Sequence, residues 1–432
     1  MGFEDISFLL LKNSKKSSQI TLNEFLKEYK EKEMKYTKPS YTKARAKISP
    51  SLFIALNDNL IESFYEDKET VEMYKNFRVF AIDGSTLQLP NVESLNLKKD
   101  SKTKKMKQEL RSIYGYCSNN KGEYETKARI SILEDIENKI VHQGILGSFF
   151  SSEKDMAFEH IEYLADLKNK CNVDYNDLII FDRGYPSYAM LFLLKSNNID
   201  YIIRMPKSRF KEVDNFREGK QKDTIISLEI NKSQLYDMKR KNNNAKIAKL
   251  LKNIKVGDIV KLRSVKIKLK SGETEILITS LLDKKEYKTK MFKDFYFKRW
   301  GIEEEYKTIK SLLQIENFTG ITQIAINQDF FATLFMLNMV NIMISATENE
   351  KIKEYNQKKK RKYQYKINRN FAIGSIKDEF IYLLVTDGDI EAFYEEILNT
   401  ISTNLTPIKP NRSFSRDKPS RHKYPICQKS AI

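Results

Sequence analysis

A chain of 432 residues, 41% hydrophobic and 31% charged, is long enough to bury a large core and is neither disordered nor fibrous in composition. Lys and Arg number 76 against 58 Asp and Glu, a net charge of +18, so a polyanion, most often nucleic acid, is expected among its partners. Three scattered cysteines (Cys117, Cys171, Cys427) exclude a disulfide framework or zinc cluster and fit a reducing compartment, and three distant histidines (His142, His160, His422) argue against zinc hydrolase chemistry.

The N-terminal apolar run follows Glu4 and Asp5, is short and lacks a basic lead, so it does not read as a signal peptide. Residues 1–75 read as helical and polar. Within them Lys43, Arg45 and Lys47 follow Pro39, as either a solvated helix face or a helix that contacts phosphates. Arg78 to Ile82 reads as a short apolar strand ending at Asp83. Ala128–Leu133 and Lys139–Leu146 read as two more strands, and Ser152–Lys168 has helical spacing. Leu178–Phe181 is a continuous apolar strand ending at Asp182, Ser187–Ser196 a short helix and Tyr201–Met205 a strand, so the order predicts a mixed α/β core.

Residues 206–274 are rich in Lys and Asn, with strand-like pieces at Thr224–Ile230 and Ile259–Leu269, and read as an inserted subdomain before a core strand at Glu275–Ser280. A long helical region follows from about Lys290 to the 390s, interrupted by the basic run Lys358–Lys362. Phe330–Thr347 is free of charge for 18 residues, the lower limit for a membrane span, but Thr333, Asn338, Asn341, Ser345 and Thr347 would be costly in lipid. A buried core helix is expected there, and no membrane. From Thr406 onward the chain holds four of its nine prolines and seven Lys/Arg against one Asp, which predicts an extended basic tail.

The chemistry-bearing pattern lies after Ser280. At about 100° per residue from Tyr296, Arg299 falls near −60°, Glu303 near −20° and Lys310 near −40°, one narrow polar stripe. Ile302, Tyr306, Ile309 and Leu313 form an adjoining apolar stripe, so the polar one borders the core. Glu304 and Glu305 point elsewhere. Asp83 and Asp182 each end an apolar strand, the edge at which ligands gather in α/β sheets. Two strand-end aspartates and a helical glutamate are hard oxygen donors suited to Mg²⁺. Two such ions, roughly 4 Å apart, would stabilise the attacking and leaving oxygens of an in-line phosphoryl transfer.

At these residues the chain resembles the DDE transposases of the bacterial and archaeal insertion-sequence-four family. The third motif of that family, Tyr-x2-Arg-x3-Glu-x6-Lys, is met by Tyr296, Arg299, Glu303 and Lys310. Ala81 to Thr86 matches the first motif and Phe181 to Ser187 the second. The resemblance implies a ribonuclease H-like mixed-sheet core over 76–330 interrupted by a β-rich insertion at 206–274. The resemblance runs from about residue 40 to the basic tail; with the patterns above it gives a helical DNA-binding domain over 1–75, a helical region over 331–405 and the basic tail at 406–432. Asp83, Asp182 and Glu303 would be the catalytic residues and hold two Mg²⁺, with Mn²⁺ able to substitute. Tyr296, Arg299 and Lys310 would hold phosphates near the scissile end, and Arg204 would touch the DNA backbone. The position at which some relatives carry a base-stacking Trp is Glu275 here, and the one Trp is Trp300.

The implied activity is cut-and-paste transposition of an insertion sequence. Cleavage at the terminal inverted repeats releases a 3′-OH, a hairpin forms and reopens, and the end joins target DNA. A homodimer on double-stranded DNA in a prokaryotic cytoplasm is implied with it. The alternatives from other classes are a ribonuclease H-like nuclease without strand transfer and a non-catalytic DNA-binding repressor derived from a transposase.

Overall fold

A computed structural model describes residues 2–14, 16–29, 36–90, 109–118, 122–170, 175–241, 245–269, 272–358, 361–386 and 389–409. Four helices open the chain: α1 (Phe3–Lys12), α2 (Ser18–Tyr29), α3 (Lys38–Arg45) and α4 (Ser51–Glu66). Thr37 caps α3 by accepting from the Ser40 amide, and Pro39 sits in the first turn, where no amide is needed.

Nine strands follow: β1 (Arg78–Gln88), β2 (Tyr116–Ser118), β3 (Tyr124–Asp135), β4 (Ile140–Ser148), β5 (Asp177–Phe181), β6 (Asp200–Arg204), β7 (Asp223–Glu229), β8 (Ile259–Lys268) and β9 (Thr274–Thr279). They form one sheet in the order β2-β3-β1-β5-β6-β9-β8-β7, with β4 also on β3. β1, β5 and β6 are parallel to one another, and the remaining pairings are antiparallel. This is a mixed α/β architecture around a central sheet of parallel and antiparallel strands. The continuous apolar runs of β5 and β6 follow from burial on both faces. On one face Phe80, Ile82, Ile179 and Phe181 pack against α5 (Glu153–Lys170) and α6 (Tyr188–Ser196). On the other, Val79, Leu178 and Ile180 meet Phe292 and Phe295 of α10 (Met291–Lys298), and Ala81, Ile130 and Ile132 meet Ile302, Tyr306 and Ile309.

Between β6 and β9, the segment expected as a β-rich insertion contributes β7 and β8 together with three helices, α7 (Lys211–Glu218), α8 (Lys232–Lys241) and α9 (Ala245–Lys252). Its two strands extend the central sheet through β9. The amphipathic spacing of Ile247 and Leu251 puts α9 on the same apolar cluster as α6.

After α10 come α11 (Trp300–Lys307), α12 (Gln323–Thr347), α13 (Lys353–Lys358), β10 (Tyr365–Ile367), α14 (Arg369–Thr386), α15 (Ile390–Ser402) and β11 (Leu405–Pro407). The apolar α12 is long enough to cross a membrane, but 72% of its most apolar window is buried in the protein. Its polar residues have internal partners. Asn338 Nδ2 donates to Asn57 Oδ1 (2.7 Å) and to the Val141 carbonyl (2.8 Å), and its Oδ1 accepts from the Val141 amide (2.8 Å). Asn341 Nδ2 donates to the Lys139 carbonyl at 2.7 Å. The contact with β4 is close: a Cβ on Gly144 would lie 2.2 Å from Leu334 Cδ1.

Three expectations change. Arg45 is neither solvated nor available to phosphate. It is 4% exposed and ion-paired to Asp329, because α3 lies against the start of α12; Lys43 and Lys47 remain exposed. The tail does not begin at Thr406: β11 pairs with β10 through Leu405, Thr406 and Pro407, and residues 410–432 lie outside the described residues. β1 does not end at Asp83 but continues to Gln88, since β3 supplies antiparallel partners as far as the Gln88–Lys127 pair.

Candidate active site

The site lies where the parallel pairing stops. β1 and β5 are in parallel register only through Ala81 and Ile180, and β5 and β6 only through Phe181 and Ile203. Asp83 lies two residues beyond the last β1–β5 pair. Asp182 immediately follows β5, and Arg204 is the last residue of β6. All three stand at the same sheet edge, although Asp83 is inside its strand. Gly84 N–H donates to Asp83 Oδ1 at 2.9 Å and fixes that carboxylate.

The α10–α11 pair crosses this edge. Tyr296 Oη donates to Asp182 Oδ1 at 3.1 Å. Arg299 Nη2 donates to Glu303 Oε1 at 2.9 Å, while the Arg299 Nε is buried without a partner. Arg204 forms a fork on the Glu275 carboxylate, Nε to Oε2 at 2.8 Å and Nη2 to Oε1, and its Nη1 is 3.5 Å from Asp182 Oδ1. Glu275 thus serves as a carboxylate anchor for that arginine. Tyr306 Oη donates to the Asp83 carbonyl at 2.7 Å, so this member of the apolar stripe also ties α11 to β1.

The ideal helical phase does not persist to Lys310. Residues Thr308–Leu312 wind as a π-turn, which adds about one residue per turn. Lys310 Nζ accordingly reaches β1, donating to Ser85 Oγ at 2.8 Å and to the Thr86 carbonyl at 2.6 Å. The structure therefore brings Asp83, Asp182, Glu303, Tyr296, Arg299 and Arg204 together, with Lys310 one step further along β1. Arg129 and Glu153, paired to each other beside Gly84, were not distinguishable in sequence, because β3 and α5 are far from the motifs along the chain.

Electrostatics separate the two aspartates. Burial, reinforced by Glu153 and Asp182, pushes Asp83 up to about 6 despite the Gly84 amide and Arg299. Burial also raises Asp182, but the Arg183 amide, Arg299, Tyr296 and Arg204 outweigh it and hold that carboxyl below its ordinary value. Burial pushes Tyr296 up to about 12, and burial lowers Lys310.

The raised Asp83 has a consequence for stability. Its ionisation disfavours the fold, and the cost grows as pH rises from the ordinary 3.8 through about 6. The difference, at ~1.4 kcal/mol per pH unit, bounds the effect at ~3 kcal/mol. Asp83→Asn is expected to raise the melting temperature of chelator-treated protein at pH 7.5 and to raise it much less at pH 4.5. An equal rise at both pH values would contradict this electrostatic assignment.

The donor set is chemically suited to a hard divalent cation: three carboxylates from β1, the β5 terminus and α11. Among the described residues no three His, Cys, Asp or Glu side chains converge closely enough to share one ion. Guanidinium groups stand among the carboxylates instead. Arg299 acts on Asp83, Asp182 and Glu303, and Arg204 on Asp182. The residues fit a cation in type and in charge, with arginines neutralising them in this arrangement.

Residues 75–339 match the family model described as transposase DDE domain, and the chain belongs to that family. Membership implies catalytic phosphoryl transfer on DNA, which in this family uses divalent metal ions. No curated protein matches the chain significantly. Among solved structures, the chain is similar to the piggyBac transposase in a cryo-EM synaptic complex with hairpin DNA. The identity is 10% and the TM-score 0.37, over 87% of this chain and 67% of that one.

Proposed function

We propose that this protein is a cut-and-paste DNA transposase of the insertion-sequence-four type. It cleaves at the terminal inverted repeats of its element and transfers the freed 3′ ends to target DNA. The observation that supports the reading is that Asp83 and Asp182 stand at one edge of the sheet, with Arg299 acting on both and paired to Glu303.

Asp83, Asp182 and Glu303 are the residues that would hold two Mg²⁺ or Mn²⁺. Bound there, the cations supply Lewis-acid activation of a hydroxyl nucleophile and charge stabilisation of the phosphoryl oxygens. The chain's own groups orient the DNA. Arg299, paired with Glu303, and Arg204, whose fork is held on Glu275 with Nη1 toward Asp182, stand among the carboxylates, and a guanidinium released from its carboxylate suits phosphate oxygens. Tyr296 holds its proton at Oη and donates it to Asp182, so it can position that carboxylate or a neighbouring phosphate. Lys310, fixed on Ser85 and Thr86, places a cation beside the path a DNA end would take. The overall charge of +18 draws in the polyanion from a distance. Pairing of two element ends calls for a homodimer on DNA, acting in a prokaryotic cytoplasm.

The test is a strand-transfer assay with precut ends, a supercoiled target plasmid and Mg²⁺. Joined products are expected, with joining abolished by chelation. Cleavage of uncut ends without joining of precut ones would make the protein a nuclease, and binding without either reaction would make it a repressor.

A further inference from the structure

Past Ala81 the parallel pairing of β1 with β5 ends, and among the described residues only β3 continues beside it. Asp83 is therefore held by the sheet from one side. Side chains supply the rest, and they meet its main-chain carbonyl from both faces of the sheet. Tyr306 Oη, from α11, donates to that carbonyl at 2.7 Å. Ser131 Oγ, on β3, lies 3.2 Å from the same oxygen and 3.0 Å from Nε2 of His160 on α5. A serine hydroxyl has one proton, so it serves one of those two acceptors at a time. The Tyr306 bond is the shorter of the two to Asp83.

The place of Tyr306 on its helix gives that bond its meaning. Tyr306 follows Glu303 by three residues, about one turn, so the two side chains ride on the same rigid element. Its ring is buried in the seam with Ile302, Ile309, Ala81 and Ile132. For that packing a phenylalanine ring would serve as well, and a buried hydroxyl is costly unless it is bonded. What the hydroxyl adds is direction. Apolar contacts tolerate sliding by a few tenths of an ångström, whereas a hydrogen bond of this length fixes the donor against its acceptor. The acceptor is the carbonyl of Asp83 itself. Burial, then the Asp83 charge, raises Tyr306 well above its ordinary value and keeps it a donor.

We propose that Tyr306 is a positioning residue for the transfer reaction: its hydroxyl registers the helix that carries Glu303 against the main chain of Asp83, and so sets how these two carboxylates stand to each other. Ser131 is the second, weaker donor to the same point. The proposal rests on the reading that Asp83 and Glu303 act together in phosphoryl transfer.

Tyr306→Phe tests it, because the ring stays in the seam and only the register is loosened. With precut ends at saturating concentration and Mg²⁺, the strand-transfer rate is expected to fall on the order of 10- to 100-fold, up to the scale of a misplacement of ~1 Å. The end concentration giving half the maximal rate should stay at that of wild type. Mn²⁺ titrated calorimetrically into the DNA-free, full-length protein should bind more weakly than to wild type. Ser131→Ala should slow transfer by a smaller factor, and the double variant should lose less than the product of the two, since both act on one carbonyl. Ile130→Val, a packing loss in the same apolar cluster, is the comparison for stability alone: it should lower the melting temperature and leave the rate and the Mn²⁺ isotherm unchanged. If Tyr306→Phe slows transfer no more than Ile130→Val does and keeps the wild-type isotherm, the bond is a structural tie only and the role of Tyr306 is overturned. Wild-type protein that neither joins precut ends nor binds Mn²⁺ overturns the underlying reading, and the proposal with it.

Discussion

Glu303→Gln is expected to abolish metal-dependent cleavage and strand transfer, by at least roughly 10²- to 10³-fold, the scale on which a single electrostatic contribution to such transition states is felt. The amide keeps the size of the side chain and can still meet Arg299, whose Nη2 is 2.9 Å from Glu303 Oε1, so α11 should persist. What is lost is the negative charge a hard dication requires. Binding to element ends should stay within about a few-fold of wild type, because the basic groups that draw in DNA are unchanged. The measurement is cleavage and joining of labelled ends beside a binding titration of the same ends.

The neighbouring glutamates are controls of different kinds. Glu304 is exposed, and Glu304→Gln should keep full activity. Glu305 is 2% exposed and accepts from Arg369 Nη2 at 2.7 Å on each oxygen and from Asn341 Nδ2 at 3.1 Å. It fastens α11 to α12 and α14, so Glu305→Gln should lower the melting temperature and is no neutral comparison, although its direction on the helix alone would suggest one. An inactive Glu304→Gln beside an active Glu303→Gln would mean that the wrong face of α11 had been assigned to catalysis.

The largest effect on stability is expected from Arg45→Ala. The guanidinium is spread over four partners: Asp329 Oδ1 at 2.7 Å, Gln328 Oε1 at 2.7 Å, Thr319 Oγ1 at 2.6 Å and the Ala325 carbonyl at 3.0 Å. Its removal leaves Asp329, which is 2% exposed, as an uncompensated buried charge. Breaking a buried pair from one side costs about 3–5 kcal/mol, a large part of the roughly 5–15 kcal/mol that holds a domain folded. The Thr319 amide, 2.6 Å from Asp329 Oδ2, should keep the loss toward the lower end. A urea titration reads the effect as a lower midpoint. The double variant with Asp329→Asn should lose less than the sum of the two single changes. A midpoint at wild type would show that the N-terminal helices are held to α12 by their apolar cluster alone.

Much of the site was legible in one dimension. β5 and β6 are short apolar runs because both faces of the sheet are covered, and a strand of that kind announces itself without any partner. Asp182 could be placed because it directly follows such a run. The stripe of Tyr296, Arg299 and Glu303 follows from helical periodicity over little more than two turns, and Ile302, Tyr306, Ile309 and Leu313 identify its buried neighbour by the same rule.

Properties that depend on distant partners were not legible. β1 runs past Asp83 because β3 offers hydrogen bonds there, and Gly84-Ser85-Thr86 carries no apolar pattern to announce it. The π-turn that sends Lys310 to Ser85 breaks the regular phase any sequence reading must assume. The surroundings of Arg45 and Glu305 are set by residues 284 and 64 positions away, and a charged side chain looks the same in sequence whether it faces water or a buried counter-charge. Local periodicity and composition by themselves determined the core strands, the polar stripe of Tyr296, Arg299 and Glu303 and the excess of positive charge. Tertiary structure alone decided which cations neutralise which carboxylates, because the energy of a charge depends on its burial and its neighbours in space, and put Glu153 over Gly84.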